Sequence, residues 1–179
     1  MCGIAGYINI QPSAERSEDR IQVMTDVVAH RGPDDKGYRL LSFDGEDDGA
    51  EIAFGHRRLS IIDLSPLGHQ PMANQDGSLW IIFNGEIYNY VELREELQAL
   101  GHEFISTSDT EVILKAYEEW GTACFARFNG MWALALLDKR RRTVILSRDR
   151  LGKKPLYYYR SSSLLVFGSE IKSLLQHPA

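Results

Sequence analysis

Hydrophobic residues recur along the chain in two rhythms, one suited to strands and one to helices. Residues 4–10 form a short apolar run that reads as a buried strand. Over residues 17–29, Ile21, Met24, Val27 and Val28 return at helical spacing, and Arg31-Gly32-Pro33-Asp34-Asp35 breaks that helix with turn residues. Residues 51–64 read as a strand interrupted by the polar Gly55-His56-Arg57-Arg58, and residues 79–83 as a fully buried strand. Two helices with start signals follow. Asn89 caps the first, with Glu92 three residues on and Leu93, Leu97 and Leu100 along its apolar face up to Gly101. Ser108 caps the second, Glu111 completes the box, and Ile113, Ala116, Tyr117 and Trp120 run down to Gly121. Residues 131–137, 143–147, 156–159 and 164–167 are strand-like, and a short helix follows Ser169. No repeat or linker divides the pattern, so it predicts one α+β domain, sheets covered by helices, over residues 1–179.

Chemistry enters at the ends of these elements. Cys2 follows the initiator Met, and its small side chain suits removal of Met1. The exposed α-amine, with a pKa near ~8, would then serve the thiol as its own general base. Retention of Met1 would block that amine. Asn84-Gly85 closes the buried strand at 79–83. Asn-Gly is the leading hairpin signal, but Glu86-Ile87-Tyr88-Asn89-Tyr90 leads into a helix, and a strand-to-helix turn leaves donors of the kind an oxyanion hole needs. If the strand at 51–64 continues, alternation groups Arg57 with Leu59 and Ile61, and Arg58 with His56 and Ser60. Arg58 would then suit bidentate binding of a carboxylate, or be one of two arginines on an exposed edge. Asp109, one residue past the Ser108 cap, suits either the helix dipole or a substrate ammonium. His69 and His102 stand in no metal-ligand spacing, so no metal is expected. Neither a Gly-x-Ser-x-Gly elbow nor a phosphate-binding glycine loop occurs.

Composition narrows the classes. With 179 residues, 44% of them hydrophobic and 25% charged, the chain has an ordinary core and no disorder signature. A net charge of -5 argues against nucleic-acid binding. The one basic run, Lys139-Arg140-Arg141-Arg142, reads as a solvated turn between strands, and Asp44-Gly45-Glu46-Asp47-Asp48-Gly49 as a loop. The segment from Arg148 to Pro155 reads as a charged turn. Two cysteines imply no disulfide framework and a reducing compartment. Without a secretory leader or a spanning apolar stretch, the expectation is a cytoplasmic protein with no membrane partner.

Five ordered motifs then point to a family: Cys2-Gly3-Ile4-Ala5-Gly6, His30-Arg31-Gly32-Pro33-Asp34, Arg58-Leu59-Ser60-Ile61-Ile62-Asp63, Asn84-Gly85-Glu86-Ile87-Tyr88-Asn89 and Ser108-Asp109-Thr110-Glu111-Val112-Ile113. With Gly130-Met131-Trp132-Ala133, Arg148-Asp149, Pro155-Leu156-Tyr157 and Ser169-Glu170-Ile171-Lys172, the chain resembles the glutaminase domain of class II glutamine amidotransferases, most closely that of glutamine-hydrolysing asparagine synthetases. The resemblance implies the N-terminal-nucleophile hydrolase fold, a four-layer αββα sandwich of two antiparallel sheets. It implies Cys2 as nucleophile, with the Asn84 side chain and the Gly85 N–H as oxyanion hole. Arg58 would hold the α-carboxylate of L-glutamine, Glu86 and Asp109 its α-amino group, and Leu59, Ser60, Ile61 and Ile62 would line the pocket. The synthetase loop Ser-Gly-Gly-x-Asp-Ser is absent, so ATP and Mg are expected only in a missing synthetase domain or partner chain, and none in this domain. The family leaves room for a homo-oligomer. The rival readings are a catalytically silent glutamine-binding or synthetase-docking domain, and a self-processing hydrolase, which would need a propeptide before Cys2.

Overall fold

The computed structural model describes residues 1–11, 18–43 and 49–178. Ser17, at the expected start of the first helix, and Asp44-Gly45-Glu46-Asp47-Asp48 of the acidic run lie outside the described residues. In chain order the elements are β1 (Gly3–Asn9), α1 (Glu18–Asp26), β2 (Asp35–Leu41), β3 (Glu51–Arg58), β4 (Met72–Ala73) and β5 (Leu79–Ile87). They continue with α2 (Tyr90–Ala99), α3 (Asp109–Trp120), α4 (Cys124–Arg127), β6 (Gly130–Asp138), β7 (Thr143–Arg148), β8 (Tyr157–Arg160), β9 (Leu164–Gly168) and α5 (Ile171–Leu174).

The strands form two sheets, ordered β2-β3-β1-β9-β8 and β4-β5-β6-β7, with every neighbouring pair antiparallel. Strand alternation sorts the core into three layers. Ile4, Ile52, Phe54, Ile82, Ala133, Ala135 and Phe167 pack between the sheets. Ile81, Phe83 and Ile87, from the other face of β5, pack with Leu93, Leu97, Val112 and Ile113 of α2 and α3. Ala5, Tyr7 and Ala53 pack with Ile21 and Met24 of α1. The result is the expected four-layer αββα sandwich. Among the described residues no helix is long and apolar enough to cross a membrane.

Several local expectations need correction. β3 stops at Arg58, so the alternation linking Arg58 to Ser60, and Arg57 to Leu59 and Ile61, does not extend past the strand. Asn84-Gly85 does not end its strand: β5 runs on to Ile87, with Asn84 opposite Ala133 and Gly85 opposite Trp132. The physical reason is the long partner β6, which holds all nine residues of β5. β2 and β4 were not legible, since neither carries a clear apolar alternation. Asn89 does not cap α2; its side chain donates to the Arg127 carbonyl (3.1 Å) and accepts from the Asn129 N–H (2.9 Å), tying α2 to the start of β6. Ser108 does cap α3, accepting from the Thr110 N–H at 3.1 Å. Glu111 does not close the box, because its carboxylate turns back to the N–H groups of Ile105 and Ser106.

Candidate active site

The cleft opens at one end of the inter-sheet layer, where β1 begins and β5 runs out. Gly3 pairs with Arg57, so the β1–β3 register carries Cys2 alongside Arg58 at the strand end. Alternation puts its side chain on the face of Ile4, toward the second sheet. There the thiol meets the Leu59 backbone, with the Leu59 N–H 3.4 Å from Sγ, and the Arg31 Nε–H donates to the Cys2 carbonyl at 2.9 Å. Burial pushes the thiol pKa up, against the lowering effect of the Leu59 N–H and the nearby N-terminal charge. A thiol in that position needs a base to ionise at neutral pH. Met1 stands at the rim and is 56% exposed.

The cavity holds about 230 Å³ and is lined by Cys2, Arg58, Leu59, Ile61, Ile62, Asn84, Gly85, Glu86 and Asp109. This is below the ~300–1,000 Å³ of drug-sized sites and suits an amino acid. Of the expected site residues, only Ser60 is absent from that lining; its N–H donates to Asp34 (2.8 Å) and it faces a neighbouring groove.

β5 presents the cleft with a sparsely paired edge. The Trp132 N–H and carbonyl bond toward Asp149, so the opposite residue, Gly85, directs its own N–H away from β6. The residues two before and two after point the same way and are both satisfied. The Phe83 N–H donates to Gln70 Oε1 (2.7 Å), and the Ile87 N–H to Asp109 Oδ2 (3.0 Å). Gly85 lies between them, facing the cavity. On the inter-sheet face, buried Asn84 Nδ2 has no hydrogen-bond partner. Two unspent donors thus stand where Cys2 opens into the cavity, whereas buried polar groups are ordinarily paired.

Opposite charges flank them. Arg58 is buried against Gly68, where a Cβ would run into the guanidinium, and donates to the carbonyls of Ser65 (3.0 Å) and Asp63. It makes no ion pair among the described residues. Its neighbour Arg57 points to the other face and pairs with Asp26. Asp109 opens α3, and burial, reinforced by the charge of Glu86, pushes its carboxyl up to about 6. A cationic fork at one end and two carboxylates at the other match an amino acid zwitterion.

Sequence reasoning missed Asp63, Gln70, Thr110, Met131 and Lys154, which also line the cavity. Lys154 had a signal, lying within the conspicuous segment after Arg148. That segment is more than a turn: Asp149 accepts from the N–H groups of Trp132, Leu151, Lys153 and Lys154, folding the loop so that buried Lys154 borders the cavity. His69 and His102, whose spacing does not suit a metal, contact carboxylates, His69 with Asp35 (2.8 Å) and His102 with Glu119 (2.9 Å). Among the described residues no group of three His, Cys, Asp or Glu could hold a metal.

Comparisons with known proteins bear on the family and the fold. The model of the glutamine amidotransferase domain matches residues 1–179. Asparagine synthetase [glutamine-hydrolyzing] 3 of Bacillus subtilis is 42% identical over 180 residues, covering 99% of this chain and 28% of that protein. A putative asparagine synthetase [glutamine-hydrolyzing] 2 of Methanocaldococcus jannaschii is 41% identical, covering 98% of this chain and 35% of its own length. The chain thus spans about a third or less of these relatives. Among solved structures, glutamine phosphoribosylpyrophosphate amidotransferase from B. subtilis aligns with a TM-score of 0.72 at 21% identity, covering 96% of this chain and 42% of that one; at this identity the likeness is one of fold. The matched family and the shared sandwich together place this chain in the class II glutamine amidotransferase domain family.

Proposed function

We propose that the cleft hydrolyses the side-chain amide of L-glutamine through a thioester on Cys2. The observation that carries this reading is the pair of unspent donors, Asn84 Nδ2 and the Gly85 N–H, facing a cavity that Cys2 also lines. Removal of Met1 frees the α-amine of Cys2, which takes the thiol proton. The thiolate adds to the amide carbon, and the oxygen that becomes negative is met by the two donors. The C–N bond breaks as the amine returns the proton to departing ammonia. Water adds to the thioester, and glutamate leaves with the thiol restored. Arg58 holds the α-carboxylate as a bidentate fork, and Glu86 and Asp109 hold the ammonium. Backbone and side chains of Leu59, Ile61 and Ile62 close the apolar wall.

The names of the relatives support a reading of where the ammonia goes. Both curated relatives are named as glutamine-hydrolysing asparagine synthetases and extend well beyond the matched region. The reading is therefore that ammonia passes to an ATP-dependent amide-forming domain or partner chain, where ATP and Mg belong. Free ammonia in water at neutral pH is mostly ammonium and no longer nucleophilic, so transfer needs a sheltered route. The chain alone should release stoichiometric glutamate and ammonium without ATP. Intact mass with and without a glutamine-analogue electrophile tests the site: the expected result is loss of Met1 and a single adduct on Cys2. A retained Met1 with glutamine binding but no hydrolysis would favour the silent domain instead.

A further inference from the structure

We propose that Gln70 is a positioning residue whose side-chain amide couples the oxyanion strand to the helix that carries Asp109. The inference rests on the glutaminase reading of the cleft. Gln70 is buried at the cavity wall and uses both ends of its amide. Its Oε1 accepts from the Phe83 N–H at 2.7 Å, and its Nε2 donates to Thr110 Oγ1 at 3.1 Å. Phe83 immediately precedes Asn84, and Thr110 immediately follows Asp109. One side chain therefore ties the group that meets the amide oxygen to the group that meets the ammonium.

The alternative way to satisfy Phe83 shows why a side chain is used. β4 pairs Met72 with Ile81, and projecting that register sets Gln70 opposite Phe83 and Gly68 opposite Gly85. A β4 extended along that line would cover the whole edge of β5 and consume the Gly85 N–H. Instead the backbone pairing stops at Met72. The Gln70 amide takes the Phe83 N–H, and His56 Nε2 takes the Phe83 carbonyl at 3.0 Å. Burial holds the His56 pKa down to about 4, so the ring is neutral and Nε2 acts as a donor at working pH. The edge is thereby fixed up to the residue before the oxyanion hole and left open at Gly85. Oxyanion donors act only when held at the right place, and a displacement of about 1 Å far from the chemistry can cost ~10²-fold.

The test compares Gln70→Met, which keeps length but removes both bonds, with Thr110→Val, which removes only the helix-side link. Two quantities are read in the Met1-processed chain: the rate of ammonia release at saturating glutamine, and the Kd for glutamine in a Cys2→Ala background. For Gln70→Met the rate should fall ~10-fold or more beyond any change in Kd, with near-ultraviolet circular dichroism unchanged. Thr110→Val should act in the opposite proportion, raising Kd about threefold with a smaller loss of rate, because it loosens the Asp109 end. A rate within about twofold of the parent in both variants, or rate and affinity falling by one common factor, would overturn the coupling role. If Gln70→Met does not fold, Thr110→Val decides, since it is isosteric and its Kd must still move. If the parent neither binds glutamine nor releases ammonia, the glutaminase reading itself has failed, which is a different result.

Discussion

The two walls of the cleft handle buried charge in opposite ways. On the wall formed by the 59–68 loop, Asp63 is 6% exposed; on the wall formed by the first turn of α3, Asp109 is 5% exposed. Burial raises both carboxyls. At Asp63 it is outweighed by hydrogen bonds from Ser65 N–H, Ser65 Oγ–H and Thr107 N–H, and the pKa falls to about 2. Asp109 receives one bond from outside its own turn, from Ile87, faces Glu86, and rises to about 6. The arginines of β3 divide similarly: Arg57 spends its charge on Asp26, while Arg58, among the described residues, donates to carbonyls and makes no ion pair. At these two pairs, the charges met by protein partners, Asp63 and Arg57, hold the architecture, and the charges of Asp109 and Arg58 stand at the cavity, where a ligand can complete them.

That division orders the expected effects. Cys2→Ala should abolish ammonium release from glutamine while leaving the thermal midpoint nearly unchanged, because a strand-end thiol adds little packing. Glutaminase activity surviving in that variant would remove Cys2 from its role. Next comes Asn84→Ala, expected to lower kcat ~10²–10³-fold with KM little changed, since its Nδ2 is unspent in the ground state. A large loss of stability with unchanged kcat would move Asn84 to the architectural group. Arg58→Lys should then raise KM for glutamine strongly, because an ammonium does not reproduce the two-pronged grip on a carboxylate. Truncating one side of a desolvated charge pair costs on the order of 2–5 kcal/mol. Arg57→Lys should instead leave KM alone; the reverse ranking would assign the carboxylate site to the wrong arginine.

Much of this contrast was legible before the structure. Cys2, Arg58, Asn84, Gly85, Glu86 and Asp109 stand at element ends or in short motifs, and an α+β arrangement of sheets covered by helices follows from the strand and helix patterns, whereas the four-layer sandwich was implied by the family resemblance. What stayed hidden depends on register. Asn-Gly inside a strand looks like a turn until the length of β6 is known, and Gln70 shows no pattern because its partners, Phe83 and Thr110, lie 13 and 40 residues away. Ser60 sits in the right motif, yet β3 ends at Arg58 and the following bend turns it toward Asp34. Asp63 and Lys154 lay in conspicuous segments, but their placement comes from backbone N–H groups that sequence patterns do not display.

The smallest and most diagnostic effect is the pH dependence of the two aspartates. Asp109 must be ionised to hold an ammonium, and its folded pKa of about 6 lies above the ordinary carboxylate value. In a Cys2→Ala background, which removes thiol chemistry, affinity for glutamine should hold above that pH and fall by up to ~10-fold per unit below it. Asp109→Asn should bind more weakly at neutral pH and lose the inflection. Asp63 stays ionised across the same range and should add none. Stability moves with opposite signs. The raised Asp109 pKa makes the unliganded fold take up its proton before the unfolded chain does, so this group favours folding more as pH falls from above 6 toward 4. The depressed Asp63 pKa contributes stability that is present above the unfolded value near ~3.9 and is lost as pH falls through about 2. Thermal midpoints of Asp109→Asn and Asp63→Asn across pH 2–7, set beside glutamine titrations, separate the two walls. Matching inflections in both variants would mean that the cleft does not divide its charges between ligand and fold.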